Sequence, residues 1–324
     1  MPLDSQNMLQ VIKGFSKQCR EALSLPKGIS IKGEISNIVV LGMGGSAIGG
    51  DLLKMYLSNA NVAIPVHVNR DYKLPNFVNE NSLVFAVSYS GNTEETLSAY
   101  KDAYSRNAKI IGITSGGKLA GECEKVIKIP SGLQPRAALG YLFFPMLGIL
   151  HNTGLIRVRN DELNEMMDIL KKTDIFSNMG ETLSKKLKEK IPIIYASEAL
   201  GAIAMRWKTQ INENAKMAAF YNVFSEMNHN EIAGYKGMDR KFIAIIIRDK
   251  YDNERIKKRM DICSDIMEVT ANVEEVETQG ESLLSRMFSA IYLGDFVSYY
   301  LALWNRVDPS PVEIIERMKK KLVE

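Results

Sequence analysis

The feature that most restricts the fold of this chain is an alternation of short apolar runs with segments of helical spacing. The runs "NIVVLGM" (37–43), "SLVFAVSY" (82–89) and "AKIIGITS" (108–115) are apolar almost throughout. Strands of this kind, without polar alternation, are typical of a parallel sheet that helices cover on both faces. The sequence therefore predicts an α/β protein built on doubly wound parallel sheets.

The alternation is interrupted once, which predicts two domains. A charged helical stretch over 160–189 separates the first series from a second one that begins at "IPIIYAS" (191–197). The other predicted strands are 64–69, 125–131, 241–249 and 272–278. The other predicted helices are 9–25, 46–57, 93–107, 137–152, 200–211, 252–268, 281–304 and 310–322. We expect an N-terminal domain of residues 1–153 and a C-terminal domain of residues 154–324, and the length of 324 residues fits two domains.

Composition and charge exclude several classes of protein. The formal net charge is only +3 and the one block of basic residues is 319–321, so nucleic acid is not an expected partner. The N-terminal residues lack the basic and apolar regions of an export signal, and no apolar stretch has the length of a membrane span. Cys19, Cys123 and Cys263 lie far apart, which argues against a disulfide framework or a zinc site. We therefore expect a cytoplasmic protein that holds no metal and contacts no membrane.

A glycine-rich turn joins the first strand to its helix. In "GMGGSA" (42–47) the glycines permit positive φ and close backbone approach, and the turn presents free N–H groups at a helix N-terminus, where anions bind. The same residues match the dinucleotide fingerprint G-x-G-x-x-A, and Asn69, Arg70 and Asp71 at the end of the next strand leave that interpretation open. A glycine turn that binds no ligand is the remaining alternative.

A cluster of hydroxyl groups at the end of the third strand favours a phosphate ligand. Ser88, Ser90 and Thr93 follow an apolar strand, and Gly91 permits a tight turn between them. Short hydroxyl donors and helix N-terminal N–H groups suit a phosphate monoester, although Thr93 alone could be an ordinary helix N-cap. Ligands of parallel sheets bind beyond the carboxyl ends of the strands, so Ser46 and these side chains are expected to face one pocket. The pattern favours a phosphorylated sugar over a nucleotide.

Longer motifs resemble a known family of sugar isomerases. "SYSGNTEET" (88–96) together with "GMGGSA" resembles the sugar isomerase (SIS) domain. "QPRAALGY" (134–141), "RWKTQINENAKMAAFYNVFSEMNHNEI" (206–232) and "DPSPVEIIERMKKKL" (308–322) resemble the archaeal-type bifunctional phosphoglucose/phosphomannose isomerases of the phosphoglucose isomerase superfamily. The resemblance covers nearly the whole chain. It implies two SIS domains, no cofactor, and a homodimer whose active sites lie at the subunit boundary.

The resemblance also implies the residues of the site. The phosphate-binding set is Gly44, Gly45, Ser46, Ser88, Ser90 and Thr93. The catalytic set is Arg136, Glu213, His229 and Lys319. The lysine is open to one alternative, because Lys320 and Lys321 follow it directly and either could match the family pattern. The family pattern further implies that His229 acts in the site of the partner subunit.

The residue types of the catalytic set suit isomerisation through an enediol. That reaction needs a base near C1 and C2, a cation for the developing oxyanion, and an acid/base to open the sugar ring. Glu213, between two asparagines near a predicted helix end, is the candidate base. Arg136 is the one charge in its apolar segment and suits the oxyanion, and His229 lies in a polar loop between two glutamates. Without the resemblance, a solvated glutamate, a surface arginine and a plain loop histidine are the ordinary alternatives.

The resemblance implies an enzyme that interconverts glucose 6-phosphate or mannose 6-phosphate with fructose 6-phosphate. One alternative is a non-catalytic phosphosugar-binding SIS regulator, for which a DNA-binding module would be expected, and no basic helix-turn-helix segment precedes residue 37. A second alternative is an isomerase of another phosphosugar. A third, a nucleotide-dependent oxidoreductase, depends on the G-x-G-x-x-A match alone.

Overall fold

The computed structural model describes residues 3–60 and 62–322, whose contacts group into two compact units. The first unit contains residues 14–171 and 280–286. The second unit contains residues 3–13, 172–279 and 287–322. Both are α/β bodies with a parallel sheet. The division of the sequence at residue 153 stays a prediction.

The first unit is built on a parallel five-stranded sheet with the strand order β2-β1-β3-β4-β5. Its strands are β1 Asn37–Leu41, β2 Val66–Asn69, β3 Ser82–Val87, β4 Lys109–Thr114 and β5 Val126–Lys128. In the centre, Val39 of β1 pairs with His67 of β2 on one side and with Val84 of β3 on the other. Every residue of β3 is buried, which explains why its sequence shows no polar alternation.

Helices connect the strands and cover the sheets. In chain order they are α1 Met8–Lys13, α2 Phe15–Ser24, α3 Gly44–Asn59, α4 Glu94–Ser105, α5 Gly117–Glu122, α6 Leu139–Asn152, α7 Asn160–Leu170, α8 Thr173–Leu187, α9 Gly201–Ala215, α10 Phe224–Met227, α11 Glu254–Glu268, α12 Leu283–Trp304 and α13 Glu313–Lys321. In α4 the buried side chains Ala99, Tyr100 and Ala103 recur at helical spacing and belong to one core cluster with Val84 and Ala86 of β3. This apolar contact, more than helix propensity, fixes the helix on the sheet.

The second unit is built on a parallel four-stranded sheet with the strand order β7-β6-β8-β9. Its strands are β6 Ile191–Ala196, β7 Phe220–Val223, β8 Phe242–Arg248 and β9 Asn272–Glu277. Ile193 of β6 and Ala244 of β8 share a core cluster with Met260 and Met267 of α11. The central strands β6 and β8 are mostly buried, whereas β7 lies at the edge of the sheet.

The strand order of the first unit defines where a ligand is expected. β1 lies between β2 and β3, so the chain leaves β1 toward one side of the sheet and later returns on the other side. Parallel sheets bind ligands at such a switch point, in the crevice outside the carboxyl ends of the strands. The switch point therefore lies at the turns 42–46 and 88–93, which follow β1 and β3.

The predicted α/β architecture with parallel sheets is confirmed, with differences in a few elements. The predicted helix 9–25 is two helices separated by Gly14, a residue that weakens a helix interior. The charged stretch 160–189 is likewise two helices, α7 and α8. The strand β7 and the short helices α5 and α10 were not predicted.

Candidate active site

Two turns of the first unit contact each other at the switch point. The turn 42–46 follows β1 and the turn 88–93 follows β3, and these two strands are neighbours in the sheet. The Ser46 hydroxyl accepts a hydrogen bond of 3.1 Å from the N–H group of Tyr89. Ser46 and Ser88 are both buried. The structure therefore brings the two predicted phosphate-binding turns together at one edge of the sheet.

The glycine turn presents backbone N–H groups at the start of α3. The first four N–H groups of a helix have no intrahelical acceptor. Here those of Ser46 and Ala47 donate to the Met43 carbonyl at 3.0 and 3.3 Å. The N–H groups of Gly44 and Gly45, the first two residues of α3, remain as donors at the positive end of the helix dipole. Such a pair of donors suits an anion.

The second turn holds the predicted hydroxyl cluster. Ser88 Oγ lies 3.0 Å from Thr93 Oγ1 and accepts the N–H group of Gly91 at 3.1 Å. The Ser90 hydroxyl accepts the N–H group of Asn92 at 3.3 Å. Thr93 occupies the N-cap position of α4, but its side chain makes no capping hydrogen bond. Its hydroxyl instead pairs with Ser88, so Thr93 is not an ordinary N-cap.

Close packing explains the glycine in this second turn. Gly91 has a φ of +71°, and a Cβ at this position would lie 1.8 Å from the Gly116 carbonyl oxygen. The Gly91 carbonyl accepts the N–H group of Leu119 at 3.0 Å. The Asn92 side-chain oxygen accepts the N–H group of Lys118, also at 3.0 Å. The turn is thus held against the start of α5 and leaves no space for a side chain at position 91.

Arg136 lies beside the glycine turn. It belongs to the 3₁₀ turn Pro135–Ala137, and a Cβ on Gly45 would lie 2.6 Å from the Arg136 backbone nitrogen. The Arg136 side chain is only 3% exposed, and its Nη1 donates to Oε1 of Gln134 at 3.4 Å. The backbone of Arg136 thus packs against the glycine turn, and its side chain is buried. The structure therefore brings one predicted catalytic residue next to the predicted phosphate-binding residues.

Tyr89 is a residue of this region that the sequence motifs did not single out. Its hydroxyl donates to the Pro130 carbonyl at 2.9 Å and accepts the N–H group of Leu133 at 2.8 Å. Its carbonyl accepts the Ser115 hydroxyl at 2.7 Å. Burial raises the pKa of the Tyr89 phenol, so it stays a neutral donor. Tyr89 thus ties the hydroxyl turn to the loop that leads to Arg136. The only sequence signal was an aromatic residue between two serines.

Glu213 lies in the last turn of α9, in the second unit. The helix ends at Ala215 and is followed by Lys216 in the left-handed region, with a φ of +55°. The Lys216 ammonium donates to the Glu213 carbonyl at 2.6 Å, and the Asn212 side chain donates to the Met217 carbonyl at 2.9 Å. The helix end is therefore well ordered by local hydrogen bonds. Glu213 itself is partly exposed.

His229 lies on the surface of the second unit, after β7 and α10. The two glutamates near it in the sequence bond to other side chains. The Glu231 carboxylate accepts the Tyr195 hydroxyl at 2.6 Å, and the Glu226 carboxylate accepts the side-chain amide of Asn230 at 2.5 Å. The Tyr195 contact fixes the start of the 3₁₀ turn Glu231–Gly237 and so holds the loop that carries His229.

Glu213 and His229 lie at opposite edges of the second sheet. β6 and β7 are parallel neighbours, so α9, which connects them, must run back from the carboxyl edge of the sheet to its amino edge. Glu213 therefore lies toward the amino edge, where β7 begins, whereas His229 follows the carboxyl end of β7. With 15 residues, α9 is about 22 Å long. The second unit of one chain thus does not bring these two residues together.

The terminal helix α13 exposes all three candidate lysines. No residue of α13 is buried, and Lys319, Lys320 and Lys321 are all exposed. The apolar side chains Ile314 and Met318 of the same helix are 70% and 55% exposed. Burial therefore does not distinguish Lys319 from the two lysines that follow it.

The residues on which the dinucleotide interpretation depends are engaged within the protein. Arg70 forms an ion pair with Asp51 of α3. The Asp71 carboxylate accepts the N–H group of Tyr72 at 2.6 Å, and the Asn69 side chain donates to the Asp71 carbonyl at 2.8 Å. Asp71, the acidic residue after β2, therefore has a structural role within its own turn.

Residues 3–60 and 62–322 contain no group of three or more His, Cys, Asp or Glu side chains that could hold a metal ion. Within the same residues, no helix is both long and apolar enough to cross a membrane. Cys19, Cys123 and Cys263 are buried and form no disulfide bond.

Known families and relatives match both units. The SIS domain model matches residues 34–144, and the model of the bacterial phospho-glucose isomerase C-terminal SIS domain matches residues 176–322. A bifunctional phosphoglucose/phosphomannose isomerase of Caldicellulosiruptor bescii is 45% identical to this chain, with 98% of this chain and 99% of the relative covered. The chain belongs to the bifunctional phosphoglucose/phosphomannose isomerase family. As a member of this family it is an isomerase, and the resemblance predicted from the motifs is confirmed.

Two more distant matches carry the names of enzymes that act on other sugar phosphates. A D-glucosamine-6-phosphate 4-epimerase of Sulfolobus acidocaldarius is 32% identical, with 88% of each chain covered. The structure of tagatose-6-phosphate ketose/aldose isomerase from Escherichia coli matches with a TM-score of 0.71 at 15% identity, and covers 94% of this chain and 95% of its own. At that identity the match shows a shared SIS fold alone.

Proposed function

We propose that this chain interconverts glucose 6-phosphate or mannose 6-phosphate with fructose 6-phosphate through an enediol, without a cofactor. We also propose that it acts as a homodimer in the cytoplasm. One observation carries the proposal: two turns of uncharged donors meet at the switch point of the first sheet, beside the buried Arg136. That arrangement suits the phosphate group of a sugar.

The phosphate group is assigned to the N–H groups of Gly44 and Gly45 and to four hydroxyls. These hydroxyls belong to Ser46, Ser88, Ser90 and Thr93. The Ser46 oxygen already accepts the Tyr89 N–H group, so its own proton is available for a phosphate oxygen. In the Ser88–Thr93 pair one hydroxyl donates to the other, which leaves the second proton for the ligand.

The isomerisation needs one base that acts at two neighbouring carbons. Glu213 removes the proton from C2 of the open aldose, and the C1–C2 enediolate forms with negative charge developing on O1. The O2 hydroxyl proton passes to O1, and return of the carbon-bound proton from Glu213 to C1 gives the ketose. Arg136 stabilises the oxyanion, and His229 transfers the proton between the ring oxygen and O1 when the sugar opens. Lys319 adds a further cation. Both aldoses are accepted when the proton returns to either face of C2.

A coupled assay tests the activity and the base together. The protein is incubated with fructose 6-phosphate and a chelator, and glucose 6-phosphate and mannose 6-phosphate are measured separately. We expect both products, and we expect Glu213→Gln to lower turnover by about 10²–10⁴-fold, the usual contribution of a general base, while inorganic phosphate binds as before. Glu268→Gln, at the exposed end of α11, is the matched control and keeps its activity. Near-normal turnover of Glu213→Gln would show that another group is the base.

A mixing experiment tests whether His229 acts in the partner's site. The positions of Glu213 and His229 at opposite edges of one sheet support this arrangement. Glu213→Gln and His229→Ala are each expected to have little activity, and equal amounts are mixed until the subunits exchange. Half of the dimers are then mixed, and one of their two sites has both residues, so about a quarter of wild-type activity returns. No recovery would mean that both residues act within one chain.

A second candidate is an isomerase of another phosphosugar. The relative named as a D-glucosamine-6-phosphate 4-epimerase favours it, because that protein shares most of its length with this chain. The same assay is repeated with glucosamine 6-phosphate, and its products are separated by chromatography. A higher kcat/KM for the amino sugar than for fructose 6-phosphate would select this second candidate.

A further inference from the structure

A buried polar contact fixes the rotation of α9, the helix that carries Glu213. Nη2 of Arg206 donates to both carboxylate oxygens of Asp295 at 2.9 and 3.0 Å, and Nε2 of Gln210 donates to Asp295 Oδ1 at 2.7 Å. All three side chains are buried between α9 and α12. If the helix rotated, each would lose its partner in a site that water does not reach, which is costly. α9 is therefore restricted to one angle against α12.

Further hydrogen bonds connect Asp295 with Asn214, the residue that directly follows Glu213. The Asn214 amide donates to the Ser298 hydroxyl at 2.9 Å, and that hydroxyl donates to the Asp295 carbonyl at 2.9 Å. Asn214 and Ser298 are both fully buried. An α-helix turns by about 100° per residue, so the direction of the Asn214 side chain determines the direction of its neighbour Glu213.

Asn305, which directly follows α12, holds the end of α9. The Asn305 amide donates to the Ala215 carbonyl at 3.1 Å. Ala215 is the last residue of α9, and the last four carbonyls of a helix have no intrahelical donor. Ser298 and Asn305 thus restrain the two residues that directly follow Glu213.

We propose that Ser298 and Asn305 are positioning residues, which hold Glu213 at the angle at which it exchanges protons with the sugar. They act through Asn214 and Ala215 and touch no substrate themselves. This inference rests on the proposed function, because it takes Glu213 as the base. A displacement of about 1 Å at a catalytic group lowers turnover by about 100-fold, so loss of either restraint is expected to reduce kcat.

Ser184 offers a matched control in the same unit. It is fully buried, as Ser298 is. Its hydroxyl donates to the carbonyl three residues earlier, that of Glu181 at 2.7 Å, and accepts the indole N–H group of Trp304 at 3.1 Å. The two serines therefore make the same pair of hydrogen bonds. They differ in that only Ser298 contacts the residue next to Glu213.

The test compares Ser298→Ala with Ser184→Ala. We expect both variants to lower Tm, because each leaves one N–H donor without its acceptor. The loss is expected to be larger for Ser298→Ala, because Asn214 is fully buried whereas Trp304 is 38% exposed. We expect Ser298→Ala to lower kcat by about tenfold or more, with KM and the inhibition constant of inorganic phosphate changed by less than about twofold. Ser184→Ala keeps its kcat. Asn305→Ala, which removes a partly exposed side chain, is expected to lower kcat in the same way and serves if Ser298→Ala does not fold.

Two results would overturn the inference, and each differs from failure of the proposed function. A normal kcat for both Ser298→Ala and Asn305→Ala, with Glu213→Gln inactive, would show that Glu213 is the base but needs neither restraint. An equal loss of kcat in Ser184→Ala and Ser298→Ala would assign the effect to general destabilisation. If instead Glu213→Gln retained its activity, the assignment of the base would itself be wrong.

Discussion

Replacing Gly45 with alanine tests whether the close approach of the glycine turn to Arg136 is needed for phosphate binding. A Cβ at position 45 would lie 2.6 Å from the Arg136 nitrogen, 2.8 Å from the Pro135 carbonyl carbon and 2.9 Å from the Arg136 Cα. Ordinary Cβ contacts begin at 3.4 Å, so the shortfall is about 0.8 Å. All three atoms belong to the backbone, so no side chain can rotate to make room. The glycine turn and the Arg136 segment must move apart.

The size of the effect follows from the cost of overpacking. Extra methyl groups in a tightly packed region cost about 1–3 kcal/mol. If the glycine turn removes the steric overlap by moving out of the geometry that binds phosphate, this energy corresponds to a roughly 5- to 150-fold weaker affinity for phosphate. Gly45 lies in the first turn of α3 with a φ outside the positive range, so its backbone conformation alone would accept alanine. The expected loss is therefore a consequence of the close approach.

Gly44→Ala provides the matched control at the neighbouring position. Gly44 has a φ of +49°, which costs alanine about 1–2 kcal/mol, but a Cβ there would meet no atom within 4 Å. This variant is expected to lose stability and to keep its phosphate affinity. The pair thus separates backbone strain, present only at Gly44, from steric exclusion, present only at Gly45.

Calorimetric titration with inorganic phosphate and thermal unfolding measure the two effects. We expect both variants to unfold at a lower temperature than the wild type, and only Gly45→Ala to bind phosphate more weakly. If folded Gly45→Ala bound phosphate with wild-type affinity, the contact between the turn and Arg136 would have no part in binding. If Gly44→Ala lost as much affinity, backbone strain would be a sufficient cause.

Two further predictions concern binding and acid stability. The double variant Ser88→Ala, Ser90→Ala should bind both the phosphosugar and inorganic phosphate more weakly, each by about 1–3 kcal/mol. Unchanged inhibition by inorganic phosphate would show that these hydroxyls do not bind the phosphate group. Burial acts to raise the pKa of Glu165, but hydrogen bonds from Glu281 and Ser282 outweigh it and lower this pKa to about 2. Because the folded pKa lies below the unfolded one, this carboxylate stabilises the fold above about pH 4.5 and loses its effect as the pH falls toward 2. After allowance for solvent screening, Glu165→Gln should lower the free energy of unfolding by about 1–2 kcal/mol at pH 7 and should not change it near pH 2. Urea unfolding measures this difference. The same difference at both pH values would contradict the low pKa of Glu165.

The fold was predictable because the central strands of both sheets are buried on two faces. β3 and β8 are apolar runs with almost no exposed residue, so their hydrophobicity alone marks them as strands. β7 was missed for the opposite reason. It lies at a sheet edge and begins with Phe220 and Tyr221, which are 55% and 41% exposed, so neither an apolar run nor a polar alternation distinguishes it.

The site was predictable in its chemistry but not in its contacts. The hydroxyls of Ser88 and Thr93 could be selected because small donors are unusual directly after a buried strand. Nothing in the sequence indicates that Tyr89 bonds to Ser46, or that Gly45 touches the backbone of Arg136. These contacts join segments that the chain brings together only when the parallel sheet forms, so they depend on strand order and register.

The two turns, residues 42–47 and 88–93, contain no lysine or arginine. A phosphate held there is bound by N–H and hydroxyl groups, whose strength depends on distance and angle more than on net charge. Ser90→Ala removes one exposed hydroxyl and leaves the other donors in place. A shift of the glycine turn by a fraction of an ångström alters several donors together. We therefore expect Gly45→Ala to weaken phosphate binding more than Ser90→Ala alone. The reverse order in the titration would indicate that the Ser90 hydroxyl, and not the geometry of the glycine turn, dominates affinity.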